Sequence, residues 1–186
     1  DLAYSTDGIN FTKYENNPII SLPPTDNTHH FRDPKVWQKD DFYYMILGSQ
    51  GKDGHGRVIT YRSKDLKDWQ YLGAITKAKS LATEGYMWEC PDFFELAGKD
   101  VLLLSPQGIK ANGQKYLNLF QTGYFVGEYD YQKNIFSHGS FTELDHGHDF
   151  YATQTMLAPD GRRLLFGWMD MWESDFPEKA DGWAGA

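Results

Sequence analysis

The chain is short of cysteine, of positive charge and of long apolar runs, and each shortage closes a class of explanation. A single cysteine, Cys90, rules out an intrachain disulfide and a multi-cysteine metal cluster. It leaves the compartment open. Lys and Arg number 18 against 26 Asp and Glu, a formal net charge of −8, and the basic residues are scattered rather than clustered. Such a chain repels a phosphate backbone, so no nucleic-acid partner is expected. The longest apolar runs, such as Val101–Leu104, are far too short to cross a bilayer, so no membrane partner is expected either. No signal peptide is read at the start. The opening "DLAYSTDG" instead reads as strand and turn from inside a domain, so the true start is expected upstream of Asp1. The 186 residues contain no low-complexity linker and no compositional boundary, which suits one domain or part of a larger one.

Aromatic residues are plentiful at 16%, a composition that suits strands and sites that stack on flat ligand faces. Short apolar segments dominate: "DFYYMILGS" (41–49), "RVITYRS" (57–63), "DVLLLS" (100–105), "YFVGEYD" (124–130) and "RLLFGWMD" (163–170). Turn dipeptides separate them, at Asp7-Gly8, Asp53-Gly54, Asn112-Gly113 and Asp160-Gly161. Residues 77–85 suit at most a helical turn. The chain reads as all-β.

A repeat runs through it. "YSTDGINFTKY" (4–14) and "RSKDLKDWQYL" (62–72) share Ser-x-Asp-x-x-x-aromatic, with Ser5 and Ser63 58 positions apart (63 − 5 = 58). "RDPKVW…MILGSQ" is answered by "ECPDFF…LLLSPQ", with Pro34 and Pro91 57 apart (91 − 34 = 57), as are Gln50 and Gln107 (107 − 50 = 57). "ATQTMLAPDGRRLLFGW" (152–168) is a weaker third copy. A period near sixty with several strands per unit predicts propeller blades, roughly three of them here. A sandwich with chance hairpin similarity is the alternative architecture.

"HFRDPKVW" (30–37) and "MWECPDFF" (87–94) fall at matching places in successive repeats. In a propeller, matching positions on innermost strands converge on the axis, so Asp33 and Glu89 are expected to face one cavity. Two carboxylates across a pocket suit glycosidic bond cleavage, one as proton donor and one beside the developing positive charge. Arg32 is placed to keep Asp33 ionised and to grip hydroxyls. Cys90 is placed to offer Glu89 a weak donor. The plainer reading makes Arg32–Asp33 a structural ion pair ahead of Pro34. "HGHD" (146–149) puts His146, His148 and Asp149 together, but without a further strong ligand nearby a surface turn is the better reading, and no metal is expected. His29-His30 reads as a loop. Gln107, and Gln50 one repeat earlier, either reach a sugar or satisfy backbone groups.

"FRDP", "WECPD", "HDFYATQT" and "FGWMD" together resemble the motifs of glycoside hydrolase family 32, and the resemblance covers essentially the whole chain. It implies a five-bladed β-propeller and a retaining β-fructofuranosidase acting on sucrose, sucrose-6-phosphate or short fructans. It implies Asp33 as transition-state stabiliser and Glu89 as general acid/base. Arg32, Tyr151 and Trp168 would hold the fructosyl unit, and Cys90 would modulate Glu89. No cofactor is implied, the expected partner is a small sugar, and a cytoplasmic location is expected, with secretion the alternative. Oligomeric state is not indicated. One departure is large. The family nucleophile is an aspartate in a "WMNDPNG"-like motif of the first blade, and residues 1–186 contain no such motif. Asp92 and Asp170 match no family position for it. The chain is therefore expected to be a partial catalytic propeller domain over 1–186, without the first blade or the C-terminal β-sandwich. The alternatives are a fructoside-binding propeller that does not cleave, or another five-bladed glycosidase such as an inverting pentose hydrolase.

Overall fold

The structure, a computed structural model, describes residues 1–173, 175 and 177–182. Among the described residues, thirteen strands form antiparallel sheets that follow the repeat, with one short α-helix and a 3-10 turn at Pro177–Asp181. The hairpin β1 (Ala3–Tyr4) and β2 (Thr12–Lys13) comes first. A four-stranded sheet follows, of β3 (Asn27–Lys39), β4 (Phe42–Gly51), β5 (Gly56–Ser63) and β6 (Gln70–Lys77), paired in chain order. Helix α1 (Leu81–Glu84) is the expected single turn and leads into the next sheet. That sheet holds β7 (Met87–Leu96), β8 (Lys99–Gln107), β9 (Gly123–Asp130) and β10 (Ile135–His138), with β11 (Thr142–Glu143) pairing the start of β9. The last hairpin is β12 (Tyr151–Leu157) and β13 (Arg163–Trp168).

The repeat explains the two hairpins. In the turn after β1, Asp7 Oδ1 accepts the amides of Ile9 and Asn10, and Ser5 Oγ accepts that of Gly8. Between β5 and β6, Asp65 Oδ1 accepts the amides of Lys67 and Asp68, and Ser63 Oγ accepts that of Leu66. The same loop thus joins β1 to β2 and β5 to β6, so β1–β2 is the outer pair of a blade. β12–β13 is the inner pair of another. Two whole blades and two half blades make up the roughly three expected, and the architecture is a β-propeller.

The blades hold together through the faces between them. β4 is buried almost end to end because both of its faces are covered, which is why its sequence does not alternate. Ile46 faces the next blade with Val58, Trp88, Leu102, Leu104 and Phe125. Met45 and Leu47 face the other way with Ile59 and Tyr61. Trp88 is fully buried and its indole N–H donates to the Glu84 carbonyl at 2.5 Å. Gly48 permits this closeness: a Cβ there would stand 2.2 Å from the Trp88 carbonyl oxygen. Strand β7 touches both β3 and β12, so these three inner strands surround one place. His29 and His30 lie within β3, not in a loop as the sequence suggested. Two adjacent histidines carry no turn chemistry, and the pairing of Asn27 with Gly51 at the far end of β4 extends the strand through them.

Candidate active site

The inner strands share one irregularity. From Arg32 to Lys35, β3 advances three residues while its partner β4 moves two, from Gly48 to Ile46. From Glu89 to Asp92, β7 does the same against Ser105 and Leu103. From Tyr151 to Gln154, β12 does the same against Trp168 and Phe166. The first extra residue in each bulge is left-handed: Asp33 at φ 62°, Cys90 at 47° and Ala152 at 53°. None is glycine, so each costs about 1–3 kcal/mol of backbone strain. A bulge bends the strand and re-aims the side chains on either side of it.

The residues just ahead of the three bulges meet. The Arg32 guanidinium donates through Nε to Glu89 Oε1 at 2.6 Å, with its second nitrogen also 2.6 Å from that oxygen. The Tyr151 hydroxyl donates to Glu89 Oε2 at 2.5 Å. Gln107 Nε2 donates to the same oxygen at 2.9 Å. The Glu89 side chain is only 13% exposed, so these donors take much of the place of its water shell. Burial, and then the charge of Glu89, push the Tyr151 phenol far above its ordinary pKa, which keeps it a donor. Asp33 stands beside this group and accepts the Cys90 amide at 2.9 Å. Four of the residues picked from the sequence, Arg32, Asp33, Glu89 and Tyr151, together with Cys90, therefore form one cluster.

Two pairings differ from expectation. Arg32 bonds Glu89 rather than its neighbour Asp33, because the left-handed bulge residue turns the Asp33 side chain away from the strand's usual alternation. The Cys90 thiol is directed at Asp33 Oδ2, 3.6 Å away, rather than at Glu89. The repeat accounts for both. Pro34 and Pro91 align, so Arg32 corresponds to Glu89 and Asp33 to Cys90, and corresponding residues on adjacent blades are the ones that touch. Burial first, then the charges of Asp33 and Glu89, push the Cys90 thiol up to about 12.

The two glutamines divide the options between them. Gln50 Nε2 donates to the Tyr86 carbonyl at 3.0 Å and joins the blades through backbone. Gln107 serves the Glu89 carboxylate instead. Trp168 pairs with Tyr151 in register and lies flat against Trp172, with ring centroids 6.2 Å apart and planes 2° apart. Ser105 was not foreseen. Its hydroxyl accepts the Ala152 amide at 3.1 Å, and its carbonyl accepts from Tyr151 at 3.3 Å. The signal was its correspondence to Gly48 one repeat earlier, a place beside the inner strand. His30 was passed over as a loop residue, yet Nδ1 of its ring accepts from Arg32 at 3.0 Å.

Asp92 lies one step beyond the cluster. It is fully buried, pairs with Lys35 Nζ at 3.1 Å and accepts the Thr155 amide at 2.6 Å. It joins three blades and is no free carboxylate. Asp170 is also buried, after β13. His146 and His148 lie in the exposed loop after β11, as the surface-turn reading expected. No group of three or more His, Cys, Asp or Glu able to hold a metal ion occurs among the described residues. No helix among them is long and apolar enough to cross a membrane.

Glu89 is thus ringed by donors, and Asp33 on β3 is bonded to Cys90, the residue after Glu89 on β7. The pattern of the Glycosyl hydrolases family 32 N-terminal domain matches residues 1–186. The chain is 46% identical over 184 residues to the sucrose-6-phosphate hydrolase of Escherichia coli, covering 99% of this chain and 37% of that protein. It is 48% identical to the sucrose-6-phosphate hydrolase of Bacillus subtilis, covering 94% of this chain and 36% of that protein. Among solved structures, the Bombyx mori beta-fructofuranosidase superposes with a TM-score of 0.90 at 49% identity, over 98% of this chain and 39% of that one. A mutant of that enzyme was solved in complex with sucrose. The Lactobacillus gasseri sucrose-6-phosphate hydrolase superposes with a TM-score of 0.87 at 31% identity, over 98% of this chain and 38% of that one. The chain thus spans little more than a third of the length of the relatives it matches. The family pattern over residues 1–186 and the identity to these relatives place the chain in glycosyl hydrolase family 32.

Proposed function

We propose that this chain carries the acid/base side of a retaining β-fructofuranosidase site that cleaves sucrose, sucrose-6-phosphate or a short fructan. The observation that carries the reading is the convergence of Arg32, Gln107 and Tyr151 on the Glu89 carboxylate with Asp33 alongside. In the reaction, Glu89 gives its proton to the oxygen of the leaving sugar while a carboxylate nucleophile forms a fructosyl-enzyme ester. Glu89 then takes a proton from the water that hydrolyses that ester. Asp33 binds ring hydroxyls and stabilises the oxocarbenium-like transition state of each step. Arg32 binds the same fructosyl unit, Trp168 lines the pocket beside Tyr151, and Cys90 tunes the carboxylates through Asp33.

The nucleophile must stand about 5 Å from the acid/base, across the scissile bond. In this reading it comes from a first blade outside residues 1–186, which form a partial catalytic domain, with a C-terminal β-sandwich completing the protein. In this reading the sugar is the only partner required and the location is cytoplasmic. The second reading is a fructoside-binding propeller that does not cleave.

Glucose release separates the two. The isolated 186-residue chain should release none from sucrose, while the polypeptide extended upstream through the next blade should, each checked for folding by circular dichroism. Turnover by the short chain near the rate of the long one would place the nucleophile within residues 1–186. A folded long chain that binds fructosides without cleaving them would establish the second reading.

A further inference from the structure

The fork of Arg32 has two ends, and only one is taken up by Glu89. Its Nη1 reaches His30 Nδ1 at 3.0 Å, two residues back on β3. A guanidinium only donates, so Nδ1 must be the accepting nitrogen and the ring proton must sit on Nε2. His30 is itself held. Its amide donates to Thr28 Oγ1 at 3.2 Å, its carbonyl accepts from Asn27 Nδ2 at 2.8 Å, and its ring lies against that of His29 with centroids 4.2 Å apart. Asn27 is buried and fixed in turn by Arg57, whose Nη2 donates to it at 2.8 Å.

Resting on the acid/base reading of Glu89, we propose that His30 is a positioning residue that aims Arg32 at Glu89 only while its imidazole is neutral. Protonation would remove the acceptor and set a cation against the guanidinium. The charged groups facing the ring are His29 and Arg32 on its own strand and Glu89 on β7. The stretch of β4 that pairs here, Gly48 to Gly51, carries no charge. Burial, then the charges of His29 and Arg32, lower the pKa of His30, while Glu89 opposes them. The bond is therefore present above that lowered pKa and lost as pH falls through it. The released fork no longer holds Glu89 Oε1, and the acid/base and the fructosyl-binding arginine drift together. This gives the acid limb of activity a contribution from a histidine that never touches the substrate.

The test uses the full-length enzyme with His30→Asn and His30→Leu. An asparagine oxygen occupies roughly the place of Nδ1 and does not titrate, whereas leucine offers no acceptor. His30→Leu should lower kcat/KM for sucrose at neutral pH by roughly ten- to a hundredfold. His30→Asn should keep most of it and carry the acid limb to lower pH. An unchanged His30→Leu enzyme, or a wild-type acid limb in His30→Asn, would overturn the proposal. A second arm needs no turnover. In protein labelled with 15N-histidine, the resonances absent from His30→Asn should show an unprotonated Nδ1 at neutral pH and a midpoint below the ordinary histidine value. A protonated Nδ1 there also overturns it. Should the wild-type protein cleave no fructoside, the acid/base reading fails by itself, and the nitrogen spectrum alone then decides whether His30 holds Arg32.

Discussion

Asp33 and Cys90 hold the same place in successive blades, and they are bonded to each other. The Cys90 amide donates to the Asp33 carboxylate at 2.9 Å, and both residues have positive φ. The carboxylate assigned to the transition state is thus fixed by the backbone next to the acid/base, so the spacing of Asp33 and Glu89 does not depend on flexible side chains alone.

Asp33→Asn should separate chemistry from structure. The amide oxygen can still accept the Cys90 N–H, and asparagine tolerates the left-handed conformation, so melting should change little. The lost charge should lower kcat strongly whatever the leaving group. Steady-state kinetics on sucrose and on an activated aryl fructoside check this. A variant with most of its kcat would leave Asp33 a purely structural residue.

Glu89→Ala should behave differently. Sucrose needs its leaving oxygen protonated and an aryl leaving group barely does, so the loss should be far larger on sucrose. Azide should partly restore turnover of the aryl substrate by replacing the activated water. Equal losses on both substrates without rescue would remove the acid/base assignment.

Cys90 should be a poor nucleophile despite being the lone thiol. Only the thiolate reacts, and a pKa pushed up to about 12 leaves very little of it at pH 8. Labelling with a disulfide reagent should be slow in the folded protein, should quicken as pH rises, and should be fast in urea. Rapid labelling of folded protein at pH 8 would contradict the half-buried site between the carboxylates of Asp33 and Glu89.

The Lys35–Asp92 pair should matter for stability rather than for the acid/base step. Asp92→Ala leaves the Thr155 amide without its acceptor and the Lys35 ammonium with no counter-charge, held by the Thr155 carbonyl alone, at a cost of about 3 kcal/mol. Lys35→Met with Asp92→Leu removes both charges and should recover much of that loss. Thermal unfolding of the three proteins gives the comparison. A double variant as unstable as the single one would mean that the ion pair itself stabilises the blades.

The sequence carried the blades well because the turn chemistry of Ser5-x-Asp7 and Ser63-x-Asp65 recurs, and identical short-range hydrogen bonds follow from identical residues. It carried the membership of the cluster through the alignment of Pro34 with Pro91. It did not carry who bonds whom. Neighbours on a strand normally face opposite ways, and a bulge changes that without leaving a mark in composition. So Arg32 looked like the partner of Asp33, and Cys90 like that of Glu89. Gln50 and Gln107 align equally well, yet only the second faces a carboxylate, since the corresponding residue of the preceding blade is Arg32. His30 was hidden for a further reason: a histidine two positions from an arginine has no signature until both are laid on one strand.

The left-handed bulge recurs at Asp33, Cys90 and Ala152 with an acid, a thiol and a methyl group, so its backbone shape does not depend on what the side chain does. These positions are sockets of one backbone shape around one hub. An engineer who wished to retune the chemistry could swap small polar residues among the sockets blade by blade and leave the scaffold intact. Gly48 is the opposite kind of position, where even one added carbon collides with the neighbouring blade. Random libraries screened for folding alone should therefore keep changes at the sockets and almost none at Gly48 beside them.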